Sequence, residues 1–326
     1  MTSSNASPSV FGWDFQINAA ILMVLENIQE SKAVRVEGAT EDIEITLLNH
    51  EKIYGQAKSV VRLDDDSHVI ENLEKALRTL NRAARNGDGR LFTYVTNAPN
   101  PFKEDHTRLY FNGLSHLGFE ELSETAQDKI KNLLQKNGFS DLDVKKLDVR
   151  VIPFYGDDLR YRYKEIKGSI RDFLGHMDID IPGIDEKIMG LWQKDFFHNA
   201  TQVDTSITIT KEKLIWPLIV FVTDKVIARE YKKDFDEEQA EEIENQYKLI
   251  IHQNVMNYRL VSRVLSGFRR SKLSVTGFVA SKWQEYLDIV SMVADAEVKE
   301  SLVKIILYRI LTQRDMIRKI KKGANL

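Results

Sequence analysis

The sequence predicts an α/β domain with a mixed sheet flanked by helices, followed by a mainly α-helical domain. In the first half, short segments that alternate polar and apolar residues are typical of half-buried strands, and they lie between helical segments. In the second half, amphipathic helical segments follow one another and extended segments are rare. This order of helices and strands in the first half is what a mixed sheet with helices on its faces requires.

Length and composition are those of a soluble globular protein. The 326 residues are enough for two domains, and 43% are hydrophobic while 29% are charged. Cysteine is absent, which excludes disulfides, thiolate metal sites and a cysteine nucleophile. No apolar segment follows a basic region near the N-terminus, and the longest apolar run, 214–222, is too short to span a bilayer. We therefore expect a cytoplasmic protein that does not bind membranes.

Three regions are predicted. Residues 1–10 are rich in serine, asparagine and proline and read as a mobile tail. Residues 11–157 form the α/β domain, and residues 158–326 form the helical domain. The predicted elements of the first domain are a helix over 11–30, strands near 34–37, 42–47 and 53–61, a helix from about 69, a strand over 91–96, a helix over 123–136 and a strand over 147–154. Residues 114–118 are predicted to be a loop.

Two of these strands carry the polar residues of most interest. Period-two alternation places Asp42 and Glu44 on one face of the first strand, and Gln56 and Lys58 on one face of the next. If the strands pair so that these faces coincide, an acid, an amide and a lysine converge. Such a set can hold a divalent metal through oxygen ligands, and the lysine can orient or deprotonate a water molecule.

This spacing resembles the restriction-endonuclease-like nucleases. Their pattern is one acidic residue, then, on the next strand, an acid or glutamine, any residue, and lysine; here Asp42 is followed by Gln56-Ala57-Lys58. The segment Gly-Trp-Asp-Phe-Gln at 12–16, which opens a helix, and Phe-Thr-Tyr-Val-Thr-Asn at 92–97 extend the similarity. Together these features, in roughly the first half of the chain, resemble the double-stranded DNA endonuclease domain of bacterial anti-phage systems. That domain occurs in CBASS effectors and in the Lamassu nuclease subunit.

The resemblance implies a metal site at these residues. Asp42 would bind Mg²⁺ directly, with Mn²⁺ as a substitute, beside the Gln56 carbonyl and the Ala57 backbone carbonyl, while Lys58 would position the attacking water. Glutamine replaces the commoner glutamate at position 56, so one negative charge is missing. Either Glu41 or Glu44 supplies this charge, or metal binding is weaker. Glu37, just before the motif strand, is another acid that could face the site.

Two further sets of residues have alternative interpretations. Gln16 lies at the position where the family has a polar helix residue close to the metal, and it is equally a helix cap or a solvated glutamine. Arg78, Arg82 and Arg85 follow the polar face of the helix after the motif strands. They read either as a solvated face or as contacts to the DNA backbone. Near the C-terminus, the cations of 314–322 either complement a helix dipole or form a basic segment near DNA.

The resemblance implies a metal-dependent endonuclease that cuts double-stranded DNA, and we expect little sequence specificity because the motif contains no base-reading element. By resemblance it would be the nuclease effector subunit of an anti-phage complex, held inactive until triggered, with the helical half as a docking or self-assembly surface. We expect a homo-oligomer together with an SMC-like or ABC-type ATPase and a further small subunit. The sequence has no Walker Gly-Lys-Ser/Thr loop, so the ATPase is expected to be a separate chain.

Two alternatives stay open at this point. A non-catalytic adaptor could keep the nuclease fold only to bind DNA or an ATPase. An RNA or tRNA nuclease could use the same site.

Overall fold

The computed structural model describes residues 7–62, 64, 66–104, 111–233, 235–252 and 256–326. The described chain is 59% helical and divides into two units. The first unit runs to Gly175 and adds Asp185–Lys211, while the second comprises His176–Ile184 and Glu212–Leu326. The first unit therefore extends past the boundary that the sequence predicts after residue 157, because later helices and one strand belong to it.

Seven strands form one mixed sheet in the first unit. Its strands are β1 (Ser31–Val36), β2 (Ile43–Leu47), β3 (Lys52–Lys58), β4 (Gly89–Thr96), β5 (Ser115–Gly118), β6 (Leu147–Val151) and β7 (Ile209–Thr210). They lie in the order β5-β6-β4-β3-β2-β1-β7. Strands β3, β4 and β6 run parallel, and the remaining pairs are antiparallel. The prediction of a mixed sheet with flanking helices is confirmed.

One face of the sheet is covered by helix α1 (Ser7–Glu26). A Cβ atom on Gly55 of β3 would lie 3.1 Å from the Met23 side chain, so glycine permits this close approach. By length and composition α1 could cross a membrane, but 67% of its apolar window is buried inside the protein. Because α1 begins at Ser7, residues 7–10 of the predicted tail are helical, and residues 1–6 lie outside the described part of the chain.

The opposite face packs against helices α2 (Val69–Ala84) and α3 (Glu124–Asn137). Their apolar stripes are buried in one core with Tyr54 and Tyr94 of the sheet. Each such aliphatic or aromatic side chain stabilises the fold by roughly 1.5–3 kcal/mol on burial. Helix α3 begins where Ser123 accepts a hydrogen bond from the Ala126 amide, which agrees with the helix predicted there.

Two edge strands extend the sheet beyond the strands predicted for the first domain. Residues 115–118, predicted to be a loop, form the edge strand β5, which pairs with β6. Four residues without an apolar alternation give no strand signal, so the pairing with β6 decides their conformation. Strand β7 comes from the predicted helical half, where the sequence predicts a short extended piece at 206–209, and it pairs with β1 at the other edge. The Arg35 side chain holds this segment by donating to the Ile207 and Gln202 carbonyls at 2.9 and 2.8 Å.

The chain after β6 is mainly helical, as predicted. Helices α4 (Leu159–Arg162), α5 (Lys164–His176) and α6 (Ile184–Ala200) precede β7. The remaining helices are α7 (Lys211–Asp224), α8 (Glu237–His252), α9 (Met256–Ser271), α10 (Val275–Lys282), α11 (Ala296–Thr312) and α12 (Arg314–Gly323), and all of their residues except Lys211 belong to the second unit. In its core, the buried Arg309 of α11 contacts Glu244 of α8 at 2.9 Å.

Candidate functional site

The loop between β1 and β2 and the end of β3 form the candidate site. Residues 37–42 fold into a tight turn in which the Glu37 amide donates to the Asp42 carbonyl at 2.9 Å and the Gly38 amide donates to the Glu41 carbonyl at 3.0 Å. Glu37 has a φ of +53°, a left-handed conformation that is uncommon for a non-glycine residue. The turn brings acidic side chains beside the polar end of β3.

Three predicted residues meet at one carboxylate oxygen. The Gln56 side-chain amide donates to Asp42 Oδ2, the Ala57 backbone amide donates to the same oxygen at 3.0 Å, and Lys58 Nζ lies 3.6 Å from it. The register explains this, because Glu44 pairs with Tyr54 and so Asp42 falls beside Gln56 on the same face. The structure therefore brings Asp42, Gln56 and Lys58 together.

Opposing effects act on the pKa of the Asp42 carboxyl. Burial raises its pKa, the Lys58 ammonium and the Ala57 amide lower it, and the charge of Glu37 raises it, with a net upward direction. The side chains of Asp42 and Lys58 are 21% and 27% exposed, so this part of the site is open to a ligand. A cation that bound Asp42 would favour the charged form.

The Gln56 amide is held by a threonine that the sequence prediction missed. Thr79 Oγ1 of α2 donates to Gln56 Oε1 at 2.6 Å and also lies 3.0 Å from the Ala76 carbonyl. In this orientation Gln56 presents its NH₂ group, rather than its carbonyl, to Asp42. A half-turn of the amide would let Gln56 donate to Thr79 while Thr79 donates to Ala76. The carbonyl could then face Asp42 without loss of a hydrogen bond to Thr79.

Glu41 is a buried carboxyl beside this network. It is 4% exposed, and neither carboxylate oxygen has a hydrogen-bond partner among the described residues. Burial, followed by the charge of Asp42, raises the pKa of Glu41 to about 8. Thr79 and Lys58 are close enough to oppose this shift, but the Thr79 proton is directed to Gln56. Buried polar atoms are rarely left without a partner, so Glu41 points to a bound proton or cation at this site.

Glu44 supports the turn instead of adding charge beside Asp42. Its Oε1 accepts from the Thr40 amide at 2.9 Å, and its Oε2 lies 3.3 Å from Lys52 Nζ. A Cβ atom on Gly38 would lie 2.3 Å from Glu44 Oε1, so a larger residue there would displace the Glu44 side chain. Of the two acids predicted to supply the missing charge, Glu41 lies beside the network and Glu44 is bound elsewhere.

Gln16 lies beneath the same turn. It is buried, and its amide donates to Glu37 Oε1 at 2.8 Å and to the Asp42 carbonyl at 3.2 Å. It therefore fixes the backbone of Asp42 against α1. Gln16 is thus neither a helix cap nor a solvated residue. Gln16 is best described as a positioning residue.

The three arginines of the predicted DNA-contacting face differ in their partners. Arg78 pairs with Glu74 at 3.1 Å, and Arg85 pairs with Asp141 at 2.8 Å. Arg82 is exposed and has no carboxylate partner in the described parts of the chain. It lies one helical turn from Thr79. Arg82 is therefore the best placed of the three to contact a phosphate.

The donor set fits a magnesium ion in part. Within the described residues, no three His, Cys, Asp or Glu side chains form a metal-binding group. Magnesium, however, commonly takes only one or two carboxylates and keeps several waters. Asp42 and Glu41 can supply these, with the Gln56 carbonyl after its half-turn. The Ala57 carbonyl lies on the same strand edge as its amide, which already contacts Asp42.

A separate cleft of about 790 Å³ opens near the carboxyl ends of β4 and β6, lined by residues that include Pro99, Pro153 and Tyr155. Asp42, Gln56 and Lys58 are not among its described lining residues.

The chain matches no protein-family model, no curated protein and no solved structure. The fold and the site geometry are therefore what bear on its function, together with the motifs in the sequence.

Proposed function

We propose that this protein is a metal-dependent endonuclease that cuts double-stranded DNA through a restriction-endonuclease-like site. The observation that carries the proposal is the convergence of Gln56, Ala57 and Lys58 on one oxygen of Asp42. The buried and unpartnered Glu41 beside them adds a second carboxylate. The mixed sheet supports the proposal, since this nuclease class carries its metal-binding residues on neighbouring strands.

Asp42 and Glu41, with the Gln56 and Ala57 carbonyls, would hold Mg²⁺. When bound, the ion would act as a Lewis acid and lower the pKa of a water molecule. Lys58 has a partly exposed side chain beside Asp42, so its ammonium can turn to a phosphate oxygen or orient the attacking water. There it would stabilise the negative charge that grows on the phosphate in the transition state. Gln16 would keep the Asp42 backbone in place throughout.

Cleavage of supercoiled plasmid tests the proposal. The protein is incubated in molar excess with Mg²⁺ or Mn²⁺, with and without EDTA. Asp42→Asn and Lys58→Met should lower cleavage by about 100-fold or more, because the first removes a ligand of the metal and the second removes the ammonium beside the reacting phosphate. The control is Lys32→Met, which removes an exposed lysine of β1 and should cut like the wild type. Plasmid that stays intact with both metals, with and without the partner subunits, would contradict the proposal.

The effector role is a further part of the proposal. Its support is the likeness of the motifs to anti-phage nucleases, which act as subunits beside an SMC-like or ABC-type ATPase. A nuclease able to cut the host genome needs a restraint, and the second unit could provide it through self-assembly or docking. A purified chain that is a fully active monomer in Mg²⁺ would contradict this part while leaving the nuclease activity in place.

One observation favours a non-catalytic DNA-binding adaptor as the second candidate. Gln56 presents an NH₂ group to Asp42, and the Lys58 ammonium lies beside the same carboxylate. The negative charge of Asp42 is therefore compensated without a metal ion. An adaptor would bind duplex DNA equally well with and without EDTA and would leave it uncut in every reaction.

A further inference from the structure

Residues of helices α9 and α12 of the second unit, together with Leu326, line an open hollow of about 330 Å³. Ser262, Ser266 and Arg269 lie four and three residues apart and therefore share one face of α9. On α12, Arg318, Lys321 and Lys322 share one face in the same way. A face with two hydroxyls and a guanidinium thus meets a face with three cations at this hollow.

The hollow concentrates positive charge. Arg318 contacts Asp315 at 3.1 Å, whereas Arg269, Lys321 and Lys322 have no carboxylate partner among the side chains that the structure describes. Placing like charges side by side is unfavourable, and the cost is lower when an anion lies between them. Such a cluster attracts multiply charged anions more strongly than single charges.

Lys321 is the most enclosed of these cations. Its Nζ lies 3.1 Å from Ser262 Oγ and 4.9 Å from the centre of the Tyr258 ring. Burial lowers the pKa of Lys321, and a nearby anion would counter this effect. The ammonium is thus held in one position at the wall of the hollow.

The two serines complete the hydrogen-bonding capacity. Ser262 Oγ accepts from Lys321, and Ser266 Oγ accepts from Arg270 at 3.3 Å. Each hydroxyl keeps its own proton for a further acceptor. The hollow therefore offers hydroxyl, ammonium and guanidinium donors, which together suit the oxygens of phosphate groups.

We propose that this hollow binds a compact polyphosphate, such as pyrophosphate or the phosphates of a nucleoside triphosphate. Its volume is in the range of small-ligand sites, and six of its eight lining residues are polar or charged, the other two being Leu265 and Leu326. Arg269 provides a forked donor for phosphate, and the three cations without a carboxylate partner match a ligand with two or more negative charges. The inference does not depend on the proposed nuclease activity.

Calorimetric titration of the full chain with pyrophosphate tests this site. We expect one binding site per chain. The double variant Arg269→Gln/Lys322→Gln should bind pyrophosphate about tenfold or more weakly, because two charge-assisted contacts are lost. Both side chains are exposed, so the fold should be retained, which circular dichroism checks. The control is Lys225→Gln, an exposed lysine of the same unit outside the hollow.

The same titration separates the ligand sources. ATP should compete with pyrophosphate, and single phosphate should bind more weakly. No pyrophosphate binding, or equal binding by the double variant, would overturn the proposal. So would a short DNA duplex that binds this face through the same residues while pyrophosphate fails to displace it. The single variant Lys322→Gln gives the same comparison if the double variant is unstable.

Discussion

Replacing Glu41 with glutamine tests the buried carboxyl beside Asp42. Burial and the charge of Asp42 raise the pKa of Glu41 to about 8, against an ordinary value of 4.5. Between these two pH values the folded protein keeps a proton on Glu41 that the unfolded chain has released. Because folding takes up this proton, the stability that it provides is complete below pH 4.5 and is lost as the pH rises toward 8.

The size of this effect follows from the pKa difference. Each pH step of one unit within this window lowers the free energy of unfolding by about 1.4 kcal/mol. Between pH 5 and pH 7 the loss due to Glu41 is therefore about 3 kcal/mol. Glutamine is similar in size and takes up no proton. We therefore expect the free energy of unfolding of Glu41→Gln, relative to that of the wild type, to rise by about 3 kcal/mol between pH 5 and pH 7.

Urea unfolding at pH 5, 6 and 7 measures this difference. The control is Glu120→Gln, since Glu120 is an exposed acid of the same unit and its replacement should give no pH-dependent gain. Added Mg²⁺ should reduce the pH dependence of the wild type, because a bound cation favours the carboxylate. If Glu41→Gln and the wild type differ equally at pH 5 and pH 7, Glu41 does not have a raised pKa and the reasoning fails.

Three other predictions concern the site, its turn and the second unit. Lys58→Arg keeps the charge but not the compact ammonium, so we expect plasmid cleavage to fall by at least about tenfold while DNA binding by gel shift is retained. Gly38→Ala places a Cβ atom 2.3 Å from Glu44 Oε1 and should lower the free energy of unfolding by about 1–3 kcal/mol in urea titrations. Glu244→Leu leaves the buried Arg309 without its carboxylate and should cost about 3 kcal/mol by the same measurement, and an unchanged midpoint would contradict the pairing.

The central strands of the fold were predictable because their alternation is strong. Period two places Gln56 and Lys58 on one face of their strand, and the observed register brings Asp42 of the neighbouring strand to that face. Strand β5 has no such pattern, and β7 has only two residues, so their strand conformation depends on neighbours that are distant in the chain. For the same reason the predicted boundary after residue 157 does not account for β7.

The surroundings of Asp42 were less accessible from sequence. The contact of Thr79 with Gln56 depends on how α2 packs on the sheet, and one threonine on a helix carries no signal of this. The different roles of Glu41 and Glu44 arise from the tight turn over residues 37–42. Sequence periodicity assigns Glu44 to the face of Asp42, but the Glu44 carboxylate contacts Lys52 and the Thr40 amide instead.

The central claim is that Asp42 binds a divalent cation, and crystals grown with Mn²⁺ test it most directly. The anomalous difference map should show one peak beside Asp42, with the Gln56 carbonyl turned toward it and Lys58 moved away from Asp42. A second contact from Glu41 would account for its buried carboxylate. A map without a peak at Asp42, in which Gln56 and Lys58 still contact its carboxylate, would contradict the account.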